Sequence, residues 1–155
     1  MVSPELLRRY PFFGFMDSAQ LKAVAMIAEE MACDKGTVLI EADTAADALY
    51  LLVEGGLDLT YVVTDKELTG LSKEFYIGEI NPGEITGISA LIEPYIYTMT
   101  VRATSLSRVI KFEGAALRAL CEVDARLAYG LMRQTAKAAM DRLHDTRIQL
   151  AAARA

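Results

Sequence analysis

Short β-type segments separated by turn residues occupy the middle of this 155-residue chain and constrain its fold more than any other feature. The segments are 37–40, 48–53, 57–63, 74–80, 96–103 and 107–112. Short strands at this spacing are typical of antiparallel sandwiches and jelly-roll barrels, whereas parallel sheets need a helix between successive strands. The sequence therefore predicts a mainly β fold whose centre is a double-stranded β-helix, or jelly-roll, barrel over residues 36–112.

Two connections within the predicted barrel carry turn signals. Glu54, Gly55 and Gly56 separate the second and third segments, and glycine adopts the positive φ values that tight turns need. We expect a hairpin turn there. The polar stretch 64–72 predicts a second hairpin loop.

The N-terminal residues 1–35 show helical periodicity. Asp17 with Gln20 three positions later fits a capping box, because the carboxylate can accept from exposed first-turn amides. The apolar face of this second helix continues through Ala28, and the helical pattern ends at about Met31. The sequence therefore predicts N-terminal helices in front of the barrel.

Residues 113–155 are also helical in pattern, which makes a single domain over 1–155. A short helix at 115–121 is followed by a break at 122–124 and by a long helix that ends near Ala152. One stripe of the long helix recurs at alternating spacings of four and three, and we call it the seam: Met132, Ala136, Ala139, Leu143, Thr146 and Leu150. This spacing favours a partner helix and hence a homodimer. The alternative is that the seam packs on the barrel of its own chain.

Composition excludes several classes of function. The formal charge is -5, without a basic cluster, which disfavours nucleic acid as a partner because that binding depends on Lys and Arg contacts to phosphates. No apolar run approaches the roughly 18 residues of a membrane span. Cys33 and Cys121 lack metal-type spacing, so we expect reduced thiols, no metal and a cytoplasmic protein. No nucleophile and base constellation is visible, His144 is expected to be an exposed helix residue, and neither an enzyme nor a cofactor is predicted.

Four motifs occur in order along the chain. They are Leu-x-x-x-Pro-Phe-Phe at 7–13, Asp-Ser-Ala-Gln-Leu at 17–21, Ala-Asp-Ala-Leu-Tyr-Leu-Leu-Val-Glu-Gly at 46–55 and Pro-Gly-Glu at 82–84. With the order helices, barrel, long helix, they resemble the cyclic nucleotide-binding domain family. The resemblance implies a sensor domain of the catabolite-activator-protein type, without the DNA-binding domain because the chain stops at Ala155.

Residues 81–103 resemble the phosphate-binding cassette of that family, in which a Glu accepts from the ribose hydroxyl and an Arg neutralises the cyclic phosphate. The Glu of the family falls at Ile88 and the Arg at Tyr97, and neither side chain can replace the original chemistry at neutral pH. The candidate ligand-binding residues implied by the resemblance are Gly83, Gly87, Ile88, Ser89, Ala90, Tyr97 and Thr98. We therefore expect that cyclic AMP and cyclic GMP do not bind in the usual way.

Two alternatives concern what replaces the missing side chains. Arg102 could supply a cation, but it lies an odd number of residues beyond Tyr97 and so faces the other side of a regular strand. Tyr95 and Tyr97, two residues apart, could close over an aromatic or apolar ligand or could fill the former pocket, and filling is favoured.

The sequence thus favours a non-catalytic regulatory or sensor module that signals through its C-terminal helix or an unidentified output protein. The alternatives are an interaction scaffold with a filled pocket, or a domain that binds a different nucleotide or small metabolite.

Overall fold

A computed structural model describes residues 2–64 and 71–155, and its centre consists of two four-stranded sheets. The strands are β1 Ala28–Cys33, β2 Val38–Ile40, β3 Ala48–Glu54, β4 Leu57–Thr64, β5 Ser72–Ile80, β6 Ile85–Thr86, β7 Thr100–Ala103 and β8 Ser107–Glu113. One sheet has the order β1-β8-β3-β6 and the other β2-β7-β4-β5, with every pairing antiparallel. The predicted mainly β fold with flanking helices is confirmed.

Helices lie at both ends of the chain. They are α1 Pro4–Arg8, α2 Ser18–Met26, α3 Gly114–Val123 and α4 Ala125–Ala153, with 3₁₀ turns at Pro11–Phe13 and Ile88–Leu91. The predicted capping box at α2 is present: the Asp17 carboxylate accepts from the Gln20 N–H at 2.8 Å, and the Gln20 side chain accepts from the Asp17 N–H at 3.0 Å.

Strand β3 is buried on both faces, which explains its nearly continuous apolar sequence. Leu49 and Leu51 pack against the helices, in a cluster that includes Phe13 and Phe112 with ring centroids 5.2 Å apart. Tyr50 and Leu52 belong to the cluster between the two sheets. The chain thus has three layers, helices, sheet and sheet, with β3 in the middle one.

The expected helix up to Met31 is wrong in its last turn. Helix α2 ends at Met26, and Ala28 already begins β1, which pairs with β8 from Ala28↔Phe112 to Cys33↔Ser107. Strand β1 is an edge strand whose side chains are mostly exposed. Its polar residues, such as Glu29, therefore resemble those at the exposed end of a helix, which explains the wrong prediction.

The hairpin expected at 54–56 is also wrong, although the turn exists. Strands β3 and β4 belong to different sheets, so this turn carries the chain from one sheet to the other. Gly55 has φ +101°, and an added Cβ would lie 2.2 Å from Ser107 Oγ. A glycine is required there because Ser107, at the start of the neighbouring strand β8 of the same sheet as β3, lies against it, and sequence spacing does not reveal this contact. The hairpin loop expected at 64–72 falls mainly on 65–70, outside the described residues.

The strand expected over 96–103 begins only at Thr100. Before it, Tyr97 pairs with a loop, because its N–H donates to the Thr44 carbonyl at 2.9 Å and its carbonyl accepts from the Asp43 N–H at 2.8 Å. The two-residue strand β6, which pairs with β3, was not predicted. It directly precedes the 3₁₀ turn Ile88–Leu91.

The break expected at 122–124 is the N-cap of α4. The Asp124 carboxylate accepts from the Leu127 N–H at 3.0 Å and from the Gln20 side chain at 3.2 Å. These contacts hold the pKa of Asp124 below its ordinary value. Leu127, Leu131 and Thr135 are buried in the first half of α4, whereas the second half lies along the outside of the barrel.

Candidate ligand pocket

Tyr97, the predicted counterpart of the family's arginine, has a buried ring that contacts strand β3. Its side chain is 4% exposed, and its hydroxyl donates to the Ala48 carbonyl oxygen at 2.5 Å. The same hydroxyl accepts from the Ala48 N–H at 3.0 Å, and Asp47 Oδ1 lies 3.3 Å away. Tyr97 thereby satisfies both backbone polar groups of Ala48 from the side. It acts as a structural cross-link between the segment before β7 and strand β3.

The surroundings of Tyr97 keep phenol groups protonated. Burial raises the pKa of Tyr97 well above its ordinary value, and nearby Tyr50 and Asp47 add to the shift while the Ala48 hydrogen bond opposes it. Burial also raises the pKa of Tyr50 to about 12, with further contributions from Asp47 and Cys33. This wall of the pocket therefore supplies no anion or cation at neutral pH.

Gly87 is required by its close neighbours as well as by its backbone. It has φ +86° and begins the 3₁₀ turn, and an added Cβ would lie 2.9 Å from the Ala48 carbonyl oxygen. That Cβ would also lie 3.2 Å from Ile40 Cδ1 and 3.4 Å from Tyr97 Cε1. Only glycine combines this φ with this packing. The backbone conformation and close packing at Gly87 thus explain why this position is a glycine.

Two adjoining cavities lie between the cassette and α4. The helix-side cavity, of about 210 Å³, is bounded by the Pro11–Phe13 turn, the cassette and α4. The strand-side cavity, of about 220 Å³, is bounded by β2, the cassette, β7 and α4. Their shared lining residues are Leu59, Thr86, Gly87, Ile88, Met99 and Arg142.

Most of the predicted pocket residues meet at these cavities. Gly83, Gly87 and Ile88 line the helix-side cavity. Gly87, Ile88, Ser89, Tyr97 and Thr98 line the strand-side cavity. Ala90 lines neither, because it is the fully buried residue of the 3₁₀ turn, and its carbonyl accepts from Arg118 Nη1 at 2.6 Å.

Tyr95 is separated from Tyr97 by its backbone conformation. With φ +58° at Tyr95 the segment is not a regular strand, so the expected common face does not form. The Arg118 guanidinium lies 4.2 Å from the centre of the Tyr95 ring. The structure brings Tyr97 but not Tyr95 to the cavities.

The cation at the cavities comes from α4. Arg102, the substitute considered from sequence, has its guanidinium 3.7 Å from Glu74 and lines neither cavity. Arg142 lines both, although it was not among the candidates that the sequence indicated. The sequence contains one indication that this part of α4 lies against the barrel. Ala138 and Ala139 shortly precede Arg142, and small residues allow a helix to approach a barrel closely. The sequence alone, however, does not say which surface these two alanines contact.

The seam residues differ in their surroundings within one chain. Met132, Leu143 and Leu150 are 36%, 47% and 51% exposed, while Ala139 lines the strand-side cavity. Ala136 is exposed as well. The larger apolar members of the seam therefore remain uncovered in the single chain.

The described histidine and cysteine residues form no metal site or disulfide. Within 2–64 and 71–155, no group of three or more His, Cys, Asp or Glu side chains is arranged to hold a metal ion. Cys33 and Cys121 are free thiols, and His144 is exposed, as expected. Among the described helices, none has the length and apolar character of a membrane span.

Known proteins resemble this chain over most of its length. A sequence model of the cyclic nucleotide-binding domain matches residues 30–124. The crystal structure of a protein from Geobacter metallireducens GS-15, assigned to the cyclic nucleotide-binding proteins, is 40% identical. The match covers 93% of this chain and 100% of that chain, with a TM-score of 0.80.

Two further matches are more distant. The sensor domain of the transcriptional regulator DNR from Pseudomonas aeruginosa is 18% identical, with a TM-score of 0.69 over 87% of this chain and 91% of that chain, and it shows the fold alone. A protein of Rhodopseudomonas palustris named as a potassium channel is 23% identical over 83% of this chain. This chain spans only 29% of that relative's length. From the match over residues 30–124 and the 40% identity, the chain belongs to the cyclic nucleotide-binding domain family.

Proposed function

We propose that this regulatory domain of the cyclic nucleotide-binding type does not bind cyclic AMP or cyclic GMP in the usual way. The observation that supports the proposal is Tyr97, which the family resemblance aligns with the phosphate-binding arginine and which has a buried ring and two hydrogen bonds to Ala48. A cyclic phosphate placed there would face a neutral phenol whose raised pKa keeps it protonated.

The surrounding charges support the same conclusion. Between residues 81 and 103 the charged side chains are Glu84, Glu93 and Arg102, an excess of one negative charge. Arg102 is directed to Glu74 outside the cavities, and Ile88 has no acceptor for a ribose hydroxyl. The cassette therefore offers neither of the family's two charged contacts.

Calorimetric titration with cyclic AMP and cyclic GMP tests this proposal. We expect no saturable heat at ligand concentrations up to hundreds of micromolar, and binding at micromolar affinity or tighter would contradict it. The converse experiment restores both side chains in Ile88→Glu/Tyr97→Arg, with circular dichroism to establish that the variant folds. Cyclic AMP binding gained only by the folded double variant would assign the loss to these two positions.

We also propose that output passes through α4, by homodimerisation along the seam or by contact with an unidentified output protein. The exposed apolar side chains of Met132, Leu143 and Leu150 support this, because a second helix would remove them from water. Sedimentation at tens of micromolar should give a dimer mass that Leu143→Asp abolishes. Ile148→Asp is the matched control, since Ile148 is 55% exposed on the same helix but lies outside the seam.

The second candidate is an interaction scaffold without a ligand. The filling of one end of the pocket by Tyr97 favours it, whereas the two cavities beside Gly87 favour a small metabolite or different nucleotide. Thermal unfolding against a panel of nucleotides and metabolites separates them, because only a ligand bound by the folded state raises the midpoint. In either case the domain regulates and does not catalyse.

A further inference from the structure

We propose that the strand-side cavity binds a small organic anion with a compact apolar body, and that Arg142 of α4 supplies the cation. The anionic group is a carboxylate or a phosphate monoester, which share the planar or forked oxygens that a guanidinium binds in pairs. This inference rests on the proposed loss of cyclic nucleotide binding and names the class of ligand that replaces it.

The strand-side cavity is lined by a cation and, among the described residues, by no carboxylate. Among the described residues that line it, Arg142 is the one charged side chain, and the others are apolar groups together with Tyr97 and the hydroxyls of Thr86, Ser89 and Thr98. A cation beside apolar walls favours an anion more strongly than one in open solvent, because water competes less.

The present partners of Arg142 leave room for another acceptor. Its Nη2 lies 3.9 Å from Glu84 and its Nη1 lies 3.9 Å from Asp145, while Nη2 donates to the Glu79 carbonyl at 3.2 Å. Charge-assisted pairs usually measure about 2.7–2.9 Å. Arg108 shows such a pair in this chain, at 2.7 Å from Glu30. Arg142 therefore lines the cavity while both of its carboxylate neighbours lie beyond the distance of a close charge-assisted pair.

The charges that line the helix-side cavity disfavour placing the ligand's anionic group there. Its charged lining residues are Glu84, Lys137, Asp141, Arg142 and Asp145, an excess of one negative charge. An anion extending into that cavity would meet three carboxylates. We therefore place the anionic group at Arg142 and the apolar body towards Ile40 and Val101 in the strand-side cavity.

The volume limits the size of the ligand. About 220 Å³ is below the range of roughly 300–1,000 Å³ that drug-sized ligands occupy. Tyr97 and the methyl groups of Ile40 and Ile88 form apolar parts of the wall. A short aliphatic chain or a single aromatic ring fits this description.

Calorimetric and thermal-shift titrations use three probes that separate the two sources of anion. Hexanoate represents carboxylates, phenyl phosphate represents phosphate monoesters, and hexan-1-ol is the neutral control. We expect at least one anion to bind and hexan-1-ol to bind at least about tenfold more weakly, since hydrogen bonds to charged groups are the stronger ones. Failure of both anions at millimolar concentration, or equal binding of hexan-1-ol, would overturn the proposal.

Two pairs of variants locate the site. Arg142→Gln should weaken anion binding by about tenfold to hundredfold, whereas the control Arg147→Gln, an exposed position on the same helix, should change it less than about twofold. Ala139→Leu should block the cavity, whereas Ala136→Leu adds the same bulk to the seam one turn earlier and should not. Anion binding that stays within about twofold of the unmodified chain in either Arg142→Gln or Ala139→Leu would overturn the assignment.

The outcomes also separate this inference from the proposed function. Micromolar binding of cyclic AMP by the unmodified chain would contradict the proposed function, whatever hexanoate does. Absence of anion binding together with absence of cyclic AMP binding would overturn only the inference and favour the scaffold. The failure of each proposal therefore gives a different experimental result.

Discussion

The two walls of the strand-side cavity are held in different ways. On the barrel side, Tyr97 bonds to both backbone groups of Ala48, and Gly87 lies so near the same strand that an added Cβ would be 2.9 Å from the Ala48 carbonyl oxygen. On the helix side, the second half of α4 is attached by two side chains, Arg142 to the Glu79 carbonyl at 3.2 Å and Gln149 to the Ile77 carbonyl at 2.7 Å.

Because of this difference, the helix wall can move in response to a ligand or partner more easily than the barrel wall. Breaking the barrel wall leaves buried polar groups unsatisfied, whereas breaking the helix wall returns exposed groups to water at small cost. The second half of α4 is therefore the element whose position a bound anion or a second subunit can change.

Gly87→Ala should destabilise the fold by about 3 kcal/mol, from backbone strain at positive φ together with overpacking against Ala48. Urea denaturation measures the loss. The matched control is Gly36→Ala, where φ is +91° but nothing lies within 4 Å of the added Cβ, so only about 1 kcal/mol is expected. Equal losses at the two positions would show that close packing at Gly87 contributes nothing.

Raising the pH should destabilise the barrel wall through its buried tyrosines. The folded pKa of Tyr50 is raised to about 12 from an ordinary value of 10.0, so its contribution is complete below pH 10 and is lost as the pH rises towards 12. The loss is about 2 kcal/mol between pH 9 and pH 11.5. Tyr50→Phe should remove that part of the pH dependence in urea titrations.

The control for the alkaline experiment is Tyr129→Phe. Tyr129 is 66% exposed on α4, so its replacement should leave the alkaline loss of stability unchanged. An equal effect of Tyr50→Phe and Tyr129→Phe would mean that burial on the barrel wall is not the cause.

Tyr97→Phe should destabilise the fold by about 1.5 kcal/mol, because the Ala48 N–H and carbonyl lose their hydroxyl partner. Thermal and urea unfolding measure the change. Tyr61→Phe serves as the control, since Tyr61 is half exposed on β4 and should lose only a few tenths of a kcal/mol. A neutral Tyr97→Phe would mean that water satisfies Ala48 and that the wall is more open than described.

Gln149→Ala should cost only about 0.5 kcal/mol of global stability, because the bond to the Ile77 carbonyl is exposed. Amide hydrogen exchange should nevertheless become faster in residues 143–153 and stay unchanged in 125–135. His144→Ala, an exposed neighbour, is the control. Faster exchange throughout α4 would show that the helix docks as one unit and would remove the contrast between the walls.

Local patterns in the sequence were sufficient for much of the barrel. The strand of residues 48–53, the capping box at Asp17 and the break before α4 were all predicted, because each depends on neighbours within a few residues. The cassette frame was equally local: Gly87 has the positive φ and close contacts that explain its glycine. Errors arose where distant segments decide, at β1, which forms by pairing with β8, and at Gly55, whose turn joins two sheets.

Sequence motifs alone pointed to the family that the comparisons show, and they predict that Ile88 and Tyr97 stand where the family has a Glu and an Arg. Both side chains are neutral at pH 7, which follows from their chemistry without coordinates. Only the tertiary structure decided that Tyr97 bonds to Ala48 and that Arg142 lines the cavities 45 residues further along the chain. Sequence periodicity identifies which residues share one face of a helix, but it does not identify the surface on which that face packs. The docking of α4 against β5 gives Arg142 its place, and the contacts that fix this docking join residues more than 60 positions apart.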